Sequence, residues 1–186
     1  EEVRSRGSDT TLGTVSKVLR SLEEEFILTR TPEIRLIDPR RLLTKLRDNY
    51  QKPIPGKSRT GKVGDLDAAL LKINDNCRNA GLRCVVNKVQ RYAVFPTVGE
   101  PLRIYTENIE TAITGIEFEP TERFADVQLI QAEERSPIYF DPIKDGGIFY
   151  TSPLQVYLNL TQGSGREQEV AEGLKENILR SAGDSS

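Results

Sequence analysis

The chain contains no histidine and no methionine, and only two cysteines among its 186 residues. Without histidine, Ser-His-Asp and Cys-His nucleophile systems are excluded, as are histidine-ligated catalytic zinc and the H-E-x-x-H motif. Cys77 and Cys84 cannot complete a tetrahedral zinc site on their own, so no metal is expected. Both are read as reduced thiols of a cytoplasmic protein, and Cys77 as a small buried hydrophobe. No apolar run approaches the roughly 20 residues that cross a bilayer, so no membrane partner is expected. With no methionine at its start, the chain is expected to be processed or N-terminally truncated.

Charged residues make up 29% of the chain and hydrophobic ones 37%, the balance of a globular protein with a modest core. The net charge of −2 hides a split. Residues 1–64 carry 14 Lys and Arg against 9 Asp and Glu, whereas residues 65–186 carry 12 against 19. A basic front and an acidic back suggest two units with different partners, the front suited to phosphate.

Val15, Val18, Leu19 and Leu22 recur at helical spacing, and Ser8, Asp9, Thr10 or Thr11 can cap the helix that carries them. FILTR (26–30) and IRLID (34–38) read as two short strands, and Asp38-Pro39 as the start of a second helix. The segment 51–64 has two prolines, three glycines and four cations without an acid, and is expected to be a linker. The expected domains are thus 1–50, a linker at 51–64, and 65–186.

In the last of these, Asp65 caps a helix bearing Ala69, Leu70, Ile73 and Cys77. CVV (84–86), LRIYT (102–106), ADVQLI (125–130), PIYF (137–140) and GIFYT (147–151) have strand composition. NKVQRYA (87–93) and ENIETAITG (107–115) read as short helices. Ser152-Pro153-Leu154-Gln155 is a helix start, with a capping serine, proline at the first position and glutamine three after the cap. A final helix carries Val170, Ala171, Leu174 and Ile178. The predicted class is α+β: an N-terminal, partial winged helix-turn-helix followed by a mixed α+β C-terminal domain.

A helix with small polar residues at its front, followed by two strands, has the order of the back half of a winged helix, whose recognition helix enters the major groove. Thr11, Gly13, Thr14, Ser16, Lys17 and Arg20 lie off the apolar stripe and are candidates to face DNA. Thr29, Arg30, Thr31 and Arg35, in the hairpin, are candidates for phosphate or minor-groove contact. The same polar, basic flank is also what an ordinary amphipathic surface helix presents.

Recognition adds to this. GTVSKVLRSLEEE (13–25), FILTR and IRLIDPRRLL (34–43) resemble the winged helix of the AbiEi-family regulators, the antitoxins of type IV toxin–antitoxin systems. The block GGIFYTSPLQVYLNLTQGSGREQEVAEGLKENIL (146–179) resembles that family's closing signature, and QRYAVFP (90–96) and FADVQLI (124–130) fall where it has comparable segments. Two positions depart from the family: Val86-Asn87 stands near its usual T-G pair, and Gly165-Arg166-Glu167 lacks its second glycine. The resemblance implies a repressor that binds inverted repeats in its own promoter. It also implies a C-terminal domain that counteracts a nucleotidyltransferase-type toxin, without needing a direct complex.

Arg166, at a helix start where the dipole disfavours a cation, either pairs with Glu167 or Glu169 or is held out for a partner. Catalysis and cofactors are not expected. Asp126, Asp141, Asp145, Glu133 and Glu134 are candidates for a two-carboxylate metal site, but DPIKDGG fits a nuclease pattern poorly. The alternative to a DNA-binding antitoxin is a protein-interaction module whose winged helix no longer binds DNA.

Overall fold

The computed structural model describes residues 10–54, 56–91 and 101–183. The capping candidates Ser8 and Asp9, and residues 92–96 of QRYAVFP, lie outside them. The protein is α+β and divides into two compact units, Glu1–Lys52 with Tyr157–Ser186, and Pro53–Val156.

The first unit begins with α1 (Leu12–Glu24), then a hairpin of β1 (Leu28–Thr29) and β2 (Arg35–Leu36), then α2 (Pro39–Asn49). Thr11 caps α1, its Oγ1 accepting the Thr14 N–H at 3.2 Å. Asp38 caps α2 in the same way at 2.8 Å from the Arg41 N–H, with Pro39 in the first turn where a missing N–H costs nothing. Ile27 is fully buried, and its carbonyl accepts both the Ile37 and the Asp38 N–H, which closes the hairpin onto the start of α2. Helix α6 (Gly165–Gly183) packs against α2, and Arg40 pairs with Glu176 at 3.3 Å. The Tyr50 hydroxyl donates to Asn159 Oδ1 at 2.5 Å.

The second unit is one seven-stranded mixed sheet, ordered β6-β3-β7-β5-β4-β9-β8. Its strands are β3 (Ser58–Val63), β4 (Cys84–Asn87), β5 (Leu102–Thr106), β6 (Phe118–Pro120), β7 (Val127–Gln131), β8 (Ile143–Asp145) and β9 (Ile148–Tyr150). Helix α3 (Leu66–Asn79) starts at an Asp65 cap and lays Ala69, Leu70, Ile73 and Cys77 on Val86, Ile104, Val127 and Leu129. Full burial of such side chains stabilises by about 1.5–3 kcal/mol each, so this helix face and the central strands carry most of the unit's stability. The short α4 (Ile109–Ala112) starts from Asn108 and is followed by Gly115 at φ +68°. A smaller cluster of Val85, Ile138 and Tyr139 includes half-buried Tyr105 and Phe149. Helix α5 (Pro153–Thr161) opens as its sequence predicts, with Ser152 Oγ accepting the Gln155 N–H at 3.3 Å. The division between the units falls within it.

Three sequence expectations are corrected. First, the supposed linker 51–64 contains β3, paired on both sides, with Gly61 opposite Pro120 of β6 and Val127 of β7. Gly61 is there for close packing: a Cβ on it would lie 2.5 Å from the Glu119 carbonyl oxygen and 2.5 Å from Phe118 Cζ. Second, residues 157–183 belong with the N-terminal unit and not with the domain expected at 65–186. Third, PIYF is no strand. Pro137–Tyr139 forms a 3-10 turn, because Pro137 has no N–H for a ladder and Ser136 Oγ sits 3.5 Å from the Ile138 N–H. Of NKVQRYA, only Val89–Arg91 is helical among the described residues, as a 3-10 turn. Strands β6 and β8 carried no sequence signal that set them apart.

Candidate nucleic-acid interface

The candidate surface begins at the front of α1. Thr11, Gly13, Thr14, Ser16, Lys17 and Arg20 are all exposed. Thr11 is committed to the cap, and its hydroxyl lies 3.0 Å from that of Thr14. Lys17 and Arg20 make no ion pair or hydrogen bond among the described residues. Ser16 is exposed on the same helix. Two unneutralised cations among small hydroxyl side chains form a surface that can contact phosphates and base edges.

The apolar stripe of α1 is not buried as its spacing suggests. Val15, Leu19 and Leu22 are half-buried, Val18 is 53% exposed, and no residue of the helix is fully buried.

The hairpin differs from the helix in its charge. Arg30 Nε donates to Glu23 Oε2 at 2.7 Å, and the Arg30 backbone N–H to Glu23 Oε1 at 3.3 Å, with both side chains half-buried. Arg35 Nε donates to Glu33 Oε1 at 2.8 Å. Thr29 Oγ1 donates to the Thr31 carbonyl at 3.3 Å, and Thr31 itself is exposed. Both hairpin arginines are therefore neutralised within the chain, and a phosphate must displace a carboxylate to reach either. The sequence reading missed this. Glu33 stands two residues from Arg35 and was legible, whereas Glu23 and Arg30 meet only because the chain reverses between α1 and β1.

That reversal rests on Phe26, a non-glycine residue at φ +57° and 78% exposed. The Phe26 N–H donates to Glu23 O at 2.9 Å and the Ile27 N–H to Leu22 O at 2.9 Å, the pattern of a helix closed by a left-handed residue. Phe26→Gly is expected to raise unfolding free energy by about 1 kcal/mol, since glycine adopts this backbone without the Cβ clash and little burial is lost. Urea denaturation of the two proteins measures it; a loss of stability would mean that the exposed ring holds the reversal.

The C-terminus of α1 carries Glu25, a poor match to the helix dipole unless cations stand near. Lys45 Nζ binds its Oε1 at 2.6 Å, and Arg41 Nη1 donates to its backbone carbonyl at 2.8 Å. The hydrogen bond from Lys45 holds the Glu25 carboxyl below its ordinary 4.5 against the opposing effect of burial. A depressed carboxylate pKa stabilises the fold above the unfolded value and loses that contribution as pH falls through the folded one. Lys45→Ala should therefore flatten the stability profile below pH 4.5 and leave the rest of the profile parallel, as read by thermal melts.

Arg166 is exposed in the first turn of α6. Glu167 Oε2 accepts the Ser164 N–H at 2.9 Å, so that carboxylate serves the backbone at the helix start. Arg166 itself makes no ion pair among the described residues.

Three of the acids considered for metal chemistry, Asp126, Asp145 and Glu134, have other partners. Asp126 Oδ2 accepts the Val63 N–H at 3.1 Å, and Asp145 pairs with Arg91 at 2.8 Å. Glu134 lies 3.9 Å from Arg83. Among the described residues, no three His, Cys, Asp or Glu side chains gather where they could hold an ion. Nor is any helix among them long and apolar enough to cross a membrane. No family model, curated protein or solved structure matches the chain.

Proposed function

We propose that this chain is a DNA-binding transcriptional regulator of the AbiEi kind, the antitoxin of a type IV toxin–antitoxin system. On this reading it is cytoplasmic and non-catalytic. It represses its own operon by binding inverted repeats through α1, while its C-terminal part counteracts a nucleotidyltransferase-type toxin without needing a stable complex.

The observation that carries the reading is the contrast between cations. Lys17 and Arg20 stand exposed beside Thr14 and Ser16 without a partner among the described residues, whereas Arg30 and Arg35 are held by Glu23 and Glu33. Exposed ion pairs are worth little, but an arginine already neutralised gives a phosphate less than a free one does. The duplex is accordingly read mainly by α1, with the hairpin as a weaker second contact. The resemblance supplies the promoter and toxin parts of the proposal; the charge pattern supports only the nucleic-acid part.

A gel shift of the protein with its own upstream DNA tests it. Specific retention that weakens with salt is expected, the slope counting the phosphates contacted. Glu33→Gln should tighten binding about 2–5-fold at low salt and steepen that slope, because it frees Arg35 for a phosphate. Unchanged affinity would remove the hairpin from the interface.

A second reading is favoured by one observation. Leu12 is 75% exposed and Val18 53% on the same short helix, an apolar exposure that a protein partner would cover. This is the interaction module without DNA binding. Failure of any duplex to compete, together with protection of α1 amides by a protein partner, would select it.

A further inference from the structure

We propose that Cys77 and Cys84 are a dithiol site that a hydroperoxide converts, inside the folded second unit, to an intramolecular disulfide. Sequence spacing alone gives two unrelated small side chains, one on a helix and one on a strand. The fold brings them together. Helix α3 ends two residues after Cys77, and the Leu82 N–H returns to the Cys77 carbonyl at 2.8 Å, turning the chain at once into β4. Cys84, the first residue of β4, is paired in register with Thr106 of β5. Cys77 Sγ lies 3.4 Å from the Oγ1 of Thr106, the residue directly opposite Cys84, and both cysteines belong to one buried cluster. Helix end, strand start and neighbouring strand thus converge on one pair of sulfurs. Thr106 is held in place by the Asn108 N–H, which donates to its Oγ1 at 3.3 Å.

The arrangement also polarises the pair. The hydrogen bond from Cys84, aided by Thr106 and opposed by burial, brings the Cys77 thiol down to about 7. The same hydrogen bond and burial push Cys84 up. Cys77, whose sulfur meets the Thr106 hydroxyl at 3.4 Å, acts as the nucleophile and Cys84 as the resolving thiol, the division of labour that such pairs need. The Cys77 thiolate attacks one peroxide oxygen, the O–O bond breaks, and the departing oxygen leaves as water after taking a proton. Cys77 is then a sulfenic acid. The Cys84 sulfur attacks the Cys77 sulfur, the S–O bond breaks, and hydroxide leaves with the Cys84 proton as a second water. Two electrons pass from the two thiols to one peroxide, and a dithiol reductant reverses the change. Because both sulfurs are buried, the reaction answers to a small oxidant and not to a bulky disulfide.

The test uses the intact chain. It is treated with hydrogen peroxide under native conditions, quenched, unfolded, alkylated and weighed. The expected product is about 2 Da lighter than the untreated chain, carries no alkyl group, and regains two after dithiothreitol. In Cys84→Ser, Cys77 should stop at the sulfenic acid, about 16 Da heavier and trapped by dimedone. Both thiols remaining alkylatable in the native chain, while the urea-unfolded chain closes the bond, would overturn the proposal. So would a sulfinic acid at Cys77 beside a free Cys84, or a disulfide-linked dimer as the main product. The wild-type measurement stands even if the serine variant fails to fold.

Discussion

Replacing Lys17 and Arg20 together by alanine is expected to weaken binding to the specific duplex about 100-fold at low salt, and to flatten the log–log salt dependence by about 2. Each cation is exposed on α1 and has no partner among the described residues, so each can give its charge to a phosphate or a base edge. An arginine that grips a guanine loses about 1–3 kcal/mol of discrimination when removed, and a lysine on phosphate loses affinity without regard to sequence. Single variants therefore separate the roles. Arg20→Ala should relax sequence preference, whereas Lys17→Ala should lower affinity evenly across sequences. Alanine favours helix at both positions, so the melting temperature should stay close to that of the unaltered chain. Binding that survives the double replacement would remove α1 from the interface and, with it, the proposed mode of DNA contact.

Gly61→Val should lower the unfolding free energy by about 3 kcal/mol. The sign discriminates between two accounts of the same segment. In a flexible linker, valine in place of glycine leaves stability unchanged or raises it, because the unfolded chain has less freedom to lose. In β3 the added side chain meets a backbone oxygen, that of Glu119, which cannot move unless β6 moves with it. The Phe118 ring on the other contact can rotate only by giving up its packing against the core. Strand β6 has three residues and, among the described residues, pairs with β3 alone, so it is the element expected to detach. Chemical denaturation gives the free energy, and hydrogen exchange at residues 118–120 shows whether β6 is what is lost.

How much was legible in the residues follows from the range over which each signal acts. Caps were legible: Asp38, Asp65 and the Ser152-Pro153 start act within four residues, and each does what its side chain dictates. The apolar spacing of α3 and the β-branched composition of LRIYT were also read correctly, since both are periodic within one element. The hairpin of β1 and β2 fell inside the two segments predicted for it. Where Gly61 was concerned, local reasoning failed, because a glycine chosen for close approach looks the same in sequence as one chosen for freedom. PIYF failed similarly, its aromatic content outweighing a proline that decided the matter. For the candidate interface, exposure of the α1 flank agreed with expectation, but the half-exposed apolar stripe did not.

By itself the sequence determined the helix starts, the α+β class and which side of α1 carries its hydroxyls and cations. Those depend on residue identity and on contacts a few positions apart. Only the tertiary structure decided that β3 belongs inside a sheet, that residues 157–183 join the first unit, that Glu23 silences Arg30, and that Cys77 and Cys84 share one buried cluster. Each of these joins side chains whose separation along the chain exceeds one element, and their energies come from burial and charge that no local pattern records.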